Sequence, residues 1–255
     1  MFKKFLIPVF MLFSGFVFAG DSETLYRSLP LAEKIKEKNL LFLSSFDNYN
    51  VNADFAKGDK KALTCPDISL LLRGILGFDG RAAYKVDPDE ELVYSVKNNL
   101  LPEHGTLSVW VRLDNFNPDD AKIVNAGVFR IFVRNGESWT ENMAYITRGV
   151  LYFCNHGGTG MMPDFNSFGT NVSLKGIKKG EWFMVTTAWD SNSASFYLNG
   201  KKIATGAAPT PLIPGPGSFF GFSTRIWWQT GLDTGSGYNF HNLLRYIVEG
   251  GNPTS

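Results

Sequence analysis

The stretch EWFMVTTAWDSNSASFYLNGKKIATG, residues 181–206, reads as three consecutive β-strands. Asn199-Gly200 separates the second strand from the third, and Asn-Gly is the strongest two-residue hairpin signal because both positions accept a positive φ. We therefore expect residues 181–190, 193–200 and 201–206 to form neighbouring antiparallel strands.

Strand-like patterns continue on both sides of this stretch. Residues 105–113, GTLSVWVRL, alternate between two faces, and the apolar face carries Leu107, Val109, Val111 and Leu113. Further strands are predicted at residues 40–46, 81–86, 126–134, 143–153 and 219–224. Many strands separated by turn signals, with no long helix between them, predict an antiparallel sandwich or barrel.

The composition fits a globular β-rich chain and excludes several other classes. The 255 residues are 44% hydrophobic and 15% aromatic, with 26 Gly, which excludes a disordered, collagen-like or disulfide-scaffold protein. The 25 Lys and Arg residues balance 24 Asp and Glu residues, so we expect no broad field for nucleic acid or an anionic membrane. Three His and two Cys leave little material for a zinc site.

Residues 1–19 are predicted to be a secretory signal peptide. The basic pair Lys3 and Lys4 precedes an apolar run over residues 5–18, and cleavage is expected after the small residue Ala19. The run is shorter than the roughly twenty residues that a membrane-spanning helix needs. We therefore expect a protein secreted to the extracellular space, the cell surface or the periplasm, with no membrane span after cleavage.

The remaining chain is predicted to be a short lead-in followed by one domain. Residues 20–39 are expected to contain a short helix, because Leu29, Leu31 and Ile35 lie among charged residues at mixed helical spacing. No linker that could separate two domains follows, so one continuous domain is expected over residues 40–250.

Export changes how the two cysteines are interpreted. In an oxidising compartment Cys65 and Cys154 either form one disulfide that closes a long loop or remain two buried free thiols. Their spacing has no signature that decides between these alternatives. Neither cysteine lies in a recognisable nucleophile context.

Three sequence pieces then occur in a fixed order: Gly77-Phe78-Asp79-Gly80, residues 105–112 (GTLSVWVR), and residues 180–190 (GEWFMVTTAWD) continuing into 196–204 (FYLNGKKIA). Together they resemble the laminin-G-like jelly-roll domains of the concanavalin A-like lectin/glucanase superfamily. A degenerate form of the last strand of such domains, FHNLLRY, stands at the C-terminal end. The resemblance covers nearly all of the chain after the signal peptide. It implies an all-β fold, a two-sheet antiparallel jelly-roll sandwich preceded by the short N-terminal helix.

Catalytic relatives that cleave glucans carry a Glu-x-Asp-x-x-Glu pattern, which aims its carboxylates into one cleft. This pattern is absent, and the nearest carboxylate cluster, DPDEE at residues 87–91, suits an exposed turn. His104, His156 and His241 are interpreted as surface or structural residues. We therefore expect a secreted, non-catalytic binding module that recognises carbohydrate or acts in cell-surface adhesion. The alternatives are a polysaccharide hydrolase or lyase with an unrecognised site, or a purely structural accessory domain.

Aromatic residues in loops have no core to fill and can form a platform for a sugar ring. The candidates for such a platform are Trp139, Trp227, Trp228 and Tyr238. Trp227 and Trp228 have an alternative role, plugging the open end of the sandwich. Strand tryptophans in an apolar context are interpreted as core or inter-sheet packing, and these are Trp110, Trp182 and Trp189.

The resemblance also implies calcium in many such domains, held by Asp and Asn oxygens at a sheet edge. Calcium takes six to eight oxygen ligands. The candidates here are Asp47, Asn48 and Asp233, but none has the spacing of a known calcium loop, so no ligand is assigned. The expected partner is a glycan or a cell-surface protein.

Overall fold

The computed structural model describes residues 38–46, 50–64, 84–86, 91–113, 126–160, 162–163, 168–223 and 242–249. In these ranges the regular elements are fifteen β-strands. In chain order they are β1 Leu40–Ser44, β2 Phe55–Ala56, β3 Tyr84–Val86, β4 Glu91–Ser95, β5 Gly105–Arg112, β6 Ala126–Asn135, β7 Ser138–Thr147, β8 Val150–Thr159, β9 Met162–Pro163, β10 Phe168–Ser173, β11 Trp182–Trp189, β12 Ser193–Leu198, β13 Lys201–Ala207, β14 Phe219–Ser223 and β15 Asn242–Glu249.

The strands form two antiparallel sheets. The eight-stranded sheet has the order β13-β12-β11-β5-β15-β1-β2, with β3 paired to β15. The seven-stranded sheet has the order β10-β8-β7-β6-β14-β4, with β9 paired to β8. One buried apolar cluster takes residues from both sheets, and the rings of Phe153 on β8 and Phe196 on β12 stack within it at 4.7 Å. The structure therefore confirms an all-β jelly-roll sandwich.

The hairpin that the sequence predicts at Asn199-Gly200 is present. Asn199 has φ 47° and Gly200 has φ 76°, as the tight turn between β12 and β13 requires. The Asn199 side chain links this turn to the neighbouring strand β11, because its Oδ1 accepts a hydrogen bond from the Met184 backbone N–H at 2.8 Å.

Alternation in β5 also places its residues as expected. Leu107, Val109 and Val111 are fully buried against the core, while Arg112 lies on the opposite face. β5 thus contributes every second side chain to the space between the sheets.

One predicted strand is wrong in detail, and two of the longer strands were missed. Residues 143–153 are not one strand, since Arg148 (φ 50°) and Gly149 (φ 69°) form a tight turn between β7 and β8. Arg-Gly is a weaker turn signal than Asn-Gly, because a long side chain rarely adopts a positive φ. The strands β4 and β10 were not predicted; β10 lies at a sheet edge and has no fully buried side chain to reveal it.

The three strand tryptophans differ in their packing. Trp189 is a core residue, 6% exposed, and its indole N–H donates to the Leu101 carbonyl at 3.0 Å. Trp110 is equally buried, but it lies on the face of the eight-stranded sheet that points away from the core. For Trp182 core packing is wrong: it is half-buried on that same outward face, with the Arg112 guanidinium 5.4 Å from its ring.

Residues 1–37 lie outside the described residues. The signal peptide over 1–19, the helical lead-in over 20–39 and the domain boundaries at 40 and 250 therefore stay predictions. Within the described residues, no helix is long and apolar enough to cross a membrane.

Candidate functional site

The seven-stranded sheet carries an unusual set of side chains on the face that points away from the core. Asn142 on β7 points inward, because its Nδ2 donates to Thr187 Oγ1 on the other sheet at 3.0 Å. Neighbouring strand residues point to opposite faces, so Glu141 points outward. We call this outward surface the Trp139 face; it comprises Arg130, Phe132, Arg134, Trp139, Glu141, His156 and Phe219.

The centre of the Trp139 face is a buried charged cluster. Glu141 lies directly opposite His156 across β7 and β8, and His156 Nε2 donates to Glu141 Oε2 at 2.9 Å. Arg130 Nε donates to the other carboxylate oxygen, Oε1. Glu141 is 5% exposed and Arg130 is 7% exposed. Two donors therefore satisfy a carboxylate that would be costly to bury alone.

The cluster keeps Glu141 ionised. Burial alone raises the pKa of a carboxyl, but the hydrogen bond from His156 and the positive charge of Arg130 outweigh it, and the pKa of Glu141 is lowered. A carboxyl with a lowered pKa holds no proton at neutral pH. Glu141 is therefore unsuited to donate a proton to a leaving group.

Three aromatic rings, those of Phe219, Phe132 and Trp139, lie side by side next to this cluster. The Arg130 guanidinium lies 5.2 Å from the Phe132 ring centre and 5.4 Å from that of Phe219. Phe132 in turn stacks on Trp139, with ring centres 6.1 Å apart and planes inclined by 27°. The cation-π contacts offset part of the cost of burying the guanidinium.

Trp139 is half-buried and held in one orientation. Its indole N–H donates to the Gly160 carbonyl at 3.0 Å, and its ring meets His156 edge-on at 5.3 Å. Gly158 lies directly opposite on β8, which leaves room for the indole. The sequence analysis placed Trp139 in a loop, but it is the second residue of β7. The error arose because the turn is only Gly136-Glu137, with Gly136 at φ 59°.

Further along the same surface, Tyr145 and Tyr152 stack at 5.2 Å with their planes only 8° apart. Cys154 lies beside them, and it forms no disulfide with any residue that the structure describes. Burial raises the pKa of Cys154 to about 11, although a hydrogen bond with Tyr145 opposes the shift. A thiol with this pKa is protonated at neutral pH and is a weak nucleophile.

The other residues singled out from the sequence lie outside the described residues. They are the platform candidates Trp227, Trp228 and Tyr238, the calcium candidates Asp47, Asn48 and Asp233, and Cys65. Pairing of Cys65 with Cys154 therefore stays a prediction, as does calcium binding. Among the described residues, no group of three or more His, Cys, Asp or Glu side chains could hold a metal ion.

Sequence reasoning missed most of the Trp139 face. Arg130, Phe132 and Phe219 were hidden in predicted strands, and Glu141 fell between the predicted strands 126–134 and 143–153. The available signal was the alternation of VFRIFVR at residues 128–134, which puts Arg130, Phe132 and Arg134 on one side. His156 was expected to be structural, and it does help to hold Glu141.

A cavity at one end of the sandwich is a weaker candidate for the site. It has a volume of about 40 Å³ and is lined by Leu100, Ile131, Asn142 and Pro209, among others. Asn142 Oδ1 is buried and has no hydrogen-bond partner among the described residues. This volume suits a few water molecules, which could satisfy that oxygen, but not a sugar ring.

Comparison with known proteins identifies the class to which this geometry belongs. The family model for laminin-G-like domains of the concanavalin A-like lectin/glucanases superfamily matches residues 92–230, just over half of the chain. The chain therefore belongs to this family. No curated protein sequence matches it.

Several solved structures are similar to the chain at low sequence identity. The botulinum neurotoxin serotype C1 binding domain is 15% identical with a TM-score of 0.57, over 84% of this chain and 49% of that one. The receptor-binding domain of botulinum neurotoxin type G is 13% identical with a TM-score of 0.54, over 84% and 48%. A Bacillus licheniformis β-glucanase is 14% identical with a TM-score of 0.40, over 58% and 66%. The chain spans about half the length of the toxin domains, and its likeness to them shows a shared fold.

Proposed function

We propose that the protein is an exported, non-catalytic binding module that recognises carbohydrate with the Trp139 face. The observation that carries the proposal is the state of Trp139, a half-buried indole fixed by the Gly160 carbonyl and by the Phe132 ring. An aromatic ring held in advance loses little conformational freedom when a flat ligand packs on it. Membership of a superfamily that includes lectins agrees with this role.

The Glu141 carboxylate does not fit the roles that hydrolysis would need. A glycosidase needs one carboxyl that keeps its proton near neutral pH and a second that acts as nucleophile or base. Glu141 cannot be the proton donor, because its pKa is lowered, and it is a poor nucleophile, because its two oxygens accept hydrogen bonds from Arg130 and His156.

Replacing Trp139 by alanine is expected to weaken carbohydrate binding strongly while leaving the fold intact. The matched control is Trp182→Ala, which removes another half-buried tryptophan from the outward face of the other sheet. Glycan-array screening followed by titration calorimetry should show saturable binding for the wild type and Trp182→Ala. For Trp139→Ala the affinity should fall at least tenfold, as expected when an aromatic anchor is truncated.

Three results would contradict this proposal in different ways. Equal binding by Trp139→Ala and wild type would move the site elsewhere on the molecule. Depolymerisation of a polysaccharide pool by the wild type would make the protein an enzyme. Arrays without any signal would favour a structural accessory domain.

Export has its own test. The basic pair and apolar run of residues 1–19 support removal of a signal peptide. N-terminal sequencing of the mature protein, expressed with its native leader in a secreting host, should therefore begin at Gly20. Full-length protein retained in the cytoplasm would contradict export without affecting the binding proposal.

A further inference from the structure

Beside Trp139 lies a second side chain that faces outward and carries a charge with no ion-pair partner among the described residues. Arg134 is the direct neighbour of Trp139 across β6 and β7 and is exposed to solvent. Residues opposite one another in antiparallel strands have Cβ atoms about 5 Å apart. One ligand that covers the indole can therefore reach the guanidinium.

The position of Arg134 is fixed by its own hydrogen bonds. Its Nε donates to the Gly136 carbonyl at 2.8 Å, which orients the planar head group. Its backbone is held on the other side, where the Arg134 N–H donates to Ser218 Oγ at 2.9 Å and the Arg134 carbonyl accepts from Gly215 N–H at 2.7 Å. The two terminal nitrogens remain able to donate to a ligand.

The two arginines of the Trp139 face differ in their charge balance. Arg130 is buried and neutralised by Glu141. Arg134 has no ion-pair partner among the described residues, and Glu137 in the adjacent turn does not pair with it. The exposed part of the face therefore presents one unbalanced positive charge next to an aromatic ring.

We infer that the ligand of the Trp139 face is a carboxylated sugar, a uronic or a sialic acid, whose carboxylate binds Arg134 while its ring packs on Trp139. This inference rests on the proposed carbohydrate binding and narrows it to a chemical class. The planar guanidinium matches a carboxylate in geometry and charge. A neutral sugar has no charged group to make this contact. A single cation, rather than a cluster, suits a ligand with one charge per sugar rather than a polysulfated chain.

The test compares each acid with a neutral counterpart. Oligogalacturonate is titrated against its methyl ester, and sialyllactose against lactose, by calorimetry at low salt with the full-length mature protein. At least one of the two acids should bind, about tenfold or more tighter than its neutral counterpart, as expected for a charge-assisted hydrogen-bonded pair. The acid that binds identifies the source of the carboxylate.

Substitutions of Arg134 locate the preference for the acid. Arg134→Met should lower affinity for the acid about tenfold and leave affinity for the neutral sugar unchanged, and Arg134→Lys should recover part of the loss. The control Arg112→Met removes an arginine that also lies opposite a tryptophan, Trp182, and should bind like wild type. Melting temperatures of all variants show whether each one is folded. If Arg134→Met does not fold, Arg134→Lys serves as the test instead.

Different failures have different meanings. Equal affinity for acid and neutral sugar, an unchanged affinity in Arg134→Met, or stronger binding of dextran sulfate than of either acid would overturn the inference. Carbohydrate binding through Trp139 would still stand in those cases. Failure of every sugar to bind the wild type would overturn the inference and the proposed function together.

Discussion

Replacing Glu141 by alanine is expected to lower the free energy of unfolding by about 3–5 kcal/mol, the usual effect of removing one partner from a buried ion pair. Arg130, 7% exposed, would lose the carboxylate that neutralises it and could not regain full hydration. For a domain of this size the melting temperature should fall by roughly 6–20 °C. Urea denaturation followed by tryptophan fluorescence measures the change.

Two further variants separate the ion pair from general damage to the sheet. Glu137→Ala removes an exposed carboxylate from the turn of the same hairpin and should change stability by less than about 0.5 kcal/mol. The double variant Arg130→Met, Glu141→Leu replaces the pair with apolar side chains and should recover most of the loss. A double variant less stable than Glu141→Ala would show that the charge pairing is not what stabilises this face.

The lowered pKa of Glu141 also fixes the direction of a pH effect. Its stabilising contribution is fully present above the ordinary carboxyl value of 4.5 and is lost as the pH falls through the lower pKa of the folded protein. Wild-type stability should therefore decrease below about pH 4.5, and this decrease should be smaller in Glu141→Gln.

Gly221→Ala is expected to be nearly as damaging, at roughly 2–6 kcal/mol, from backbone strain and overpacking combined. Gly221 lies in β14 between β4 and β6, opposite Arg130, and has φ 142°. A Cβ atom there would lie 2.3 Å from the Leu92 carbonyl oxygen. That oxygen belongs to the backbone of β4, so it cannot rotate away as a side chain could.

A second glycine provides the control for this prediction. Gly169 lies in the edge strand β10, and a Cβ atom there would meet nothing closer than the Phe153 carbonyl oxygen at 3.6 Å, an ordinary contact. Gly169→Ala should therefore be neutral or slightly stabilising, because alanine loses less entropy on folding. Denaturation curves in which both alanine variants match wild type would show that β4 and β14 are not paired as described.

Local sequence signals predicted the fold where one strand or one turn contained all the information. Asn199-Gly200 specified its hairpin, and the alternation of residues 105–113 specified which side of β5 is buried. The turn at Arg148-Gly149 was missed because its first residue adopts a positive φ that its type rarely takes. When a residue adopts a backbone conformation that its type disfavours, the surrounding sheet imposes that conformation. The local sequence therefore gives no sign of it.

The candidate site was less predictable, because it is built across strands. Arg130, Glu141 and His156 come from three successive strands, and each looks ordinary in its own segment. Trp139 was chosen as a loop aromatic, but it lies in strand β7. Only the register of β6, β7 and β8 brings the indole, the paired charges and Arg134 onto one face.

Hydroxyl-radical footprinting of Trp139 tests the central claim most directly, because it reports whether the ligand covers this indole. Oxidation of Trp139 and Trp182 is followed by mass spectrometry with and without a saturating acidic oligosaccharide, chosen as the one that binds in calorimetry. We expect oxidation of Trp139 to slow severalfold at saturation while that of Trp182 stays unchanged. Unchanged oxidation of Trp139 in the saturated protein would contradict carbohydrate recognition by the Trp139 face.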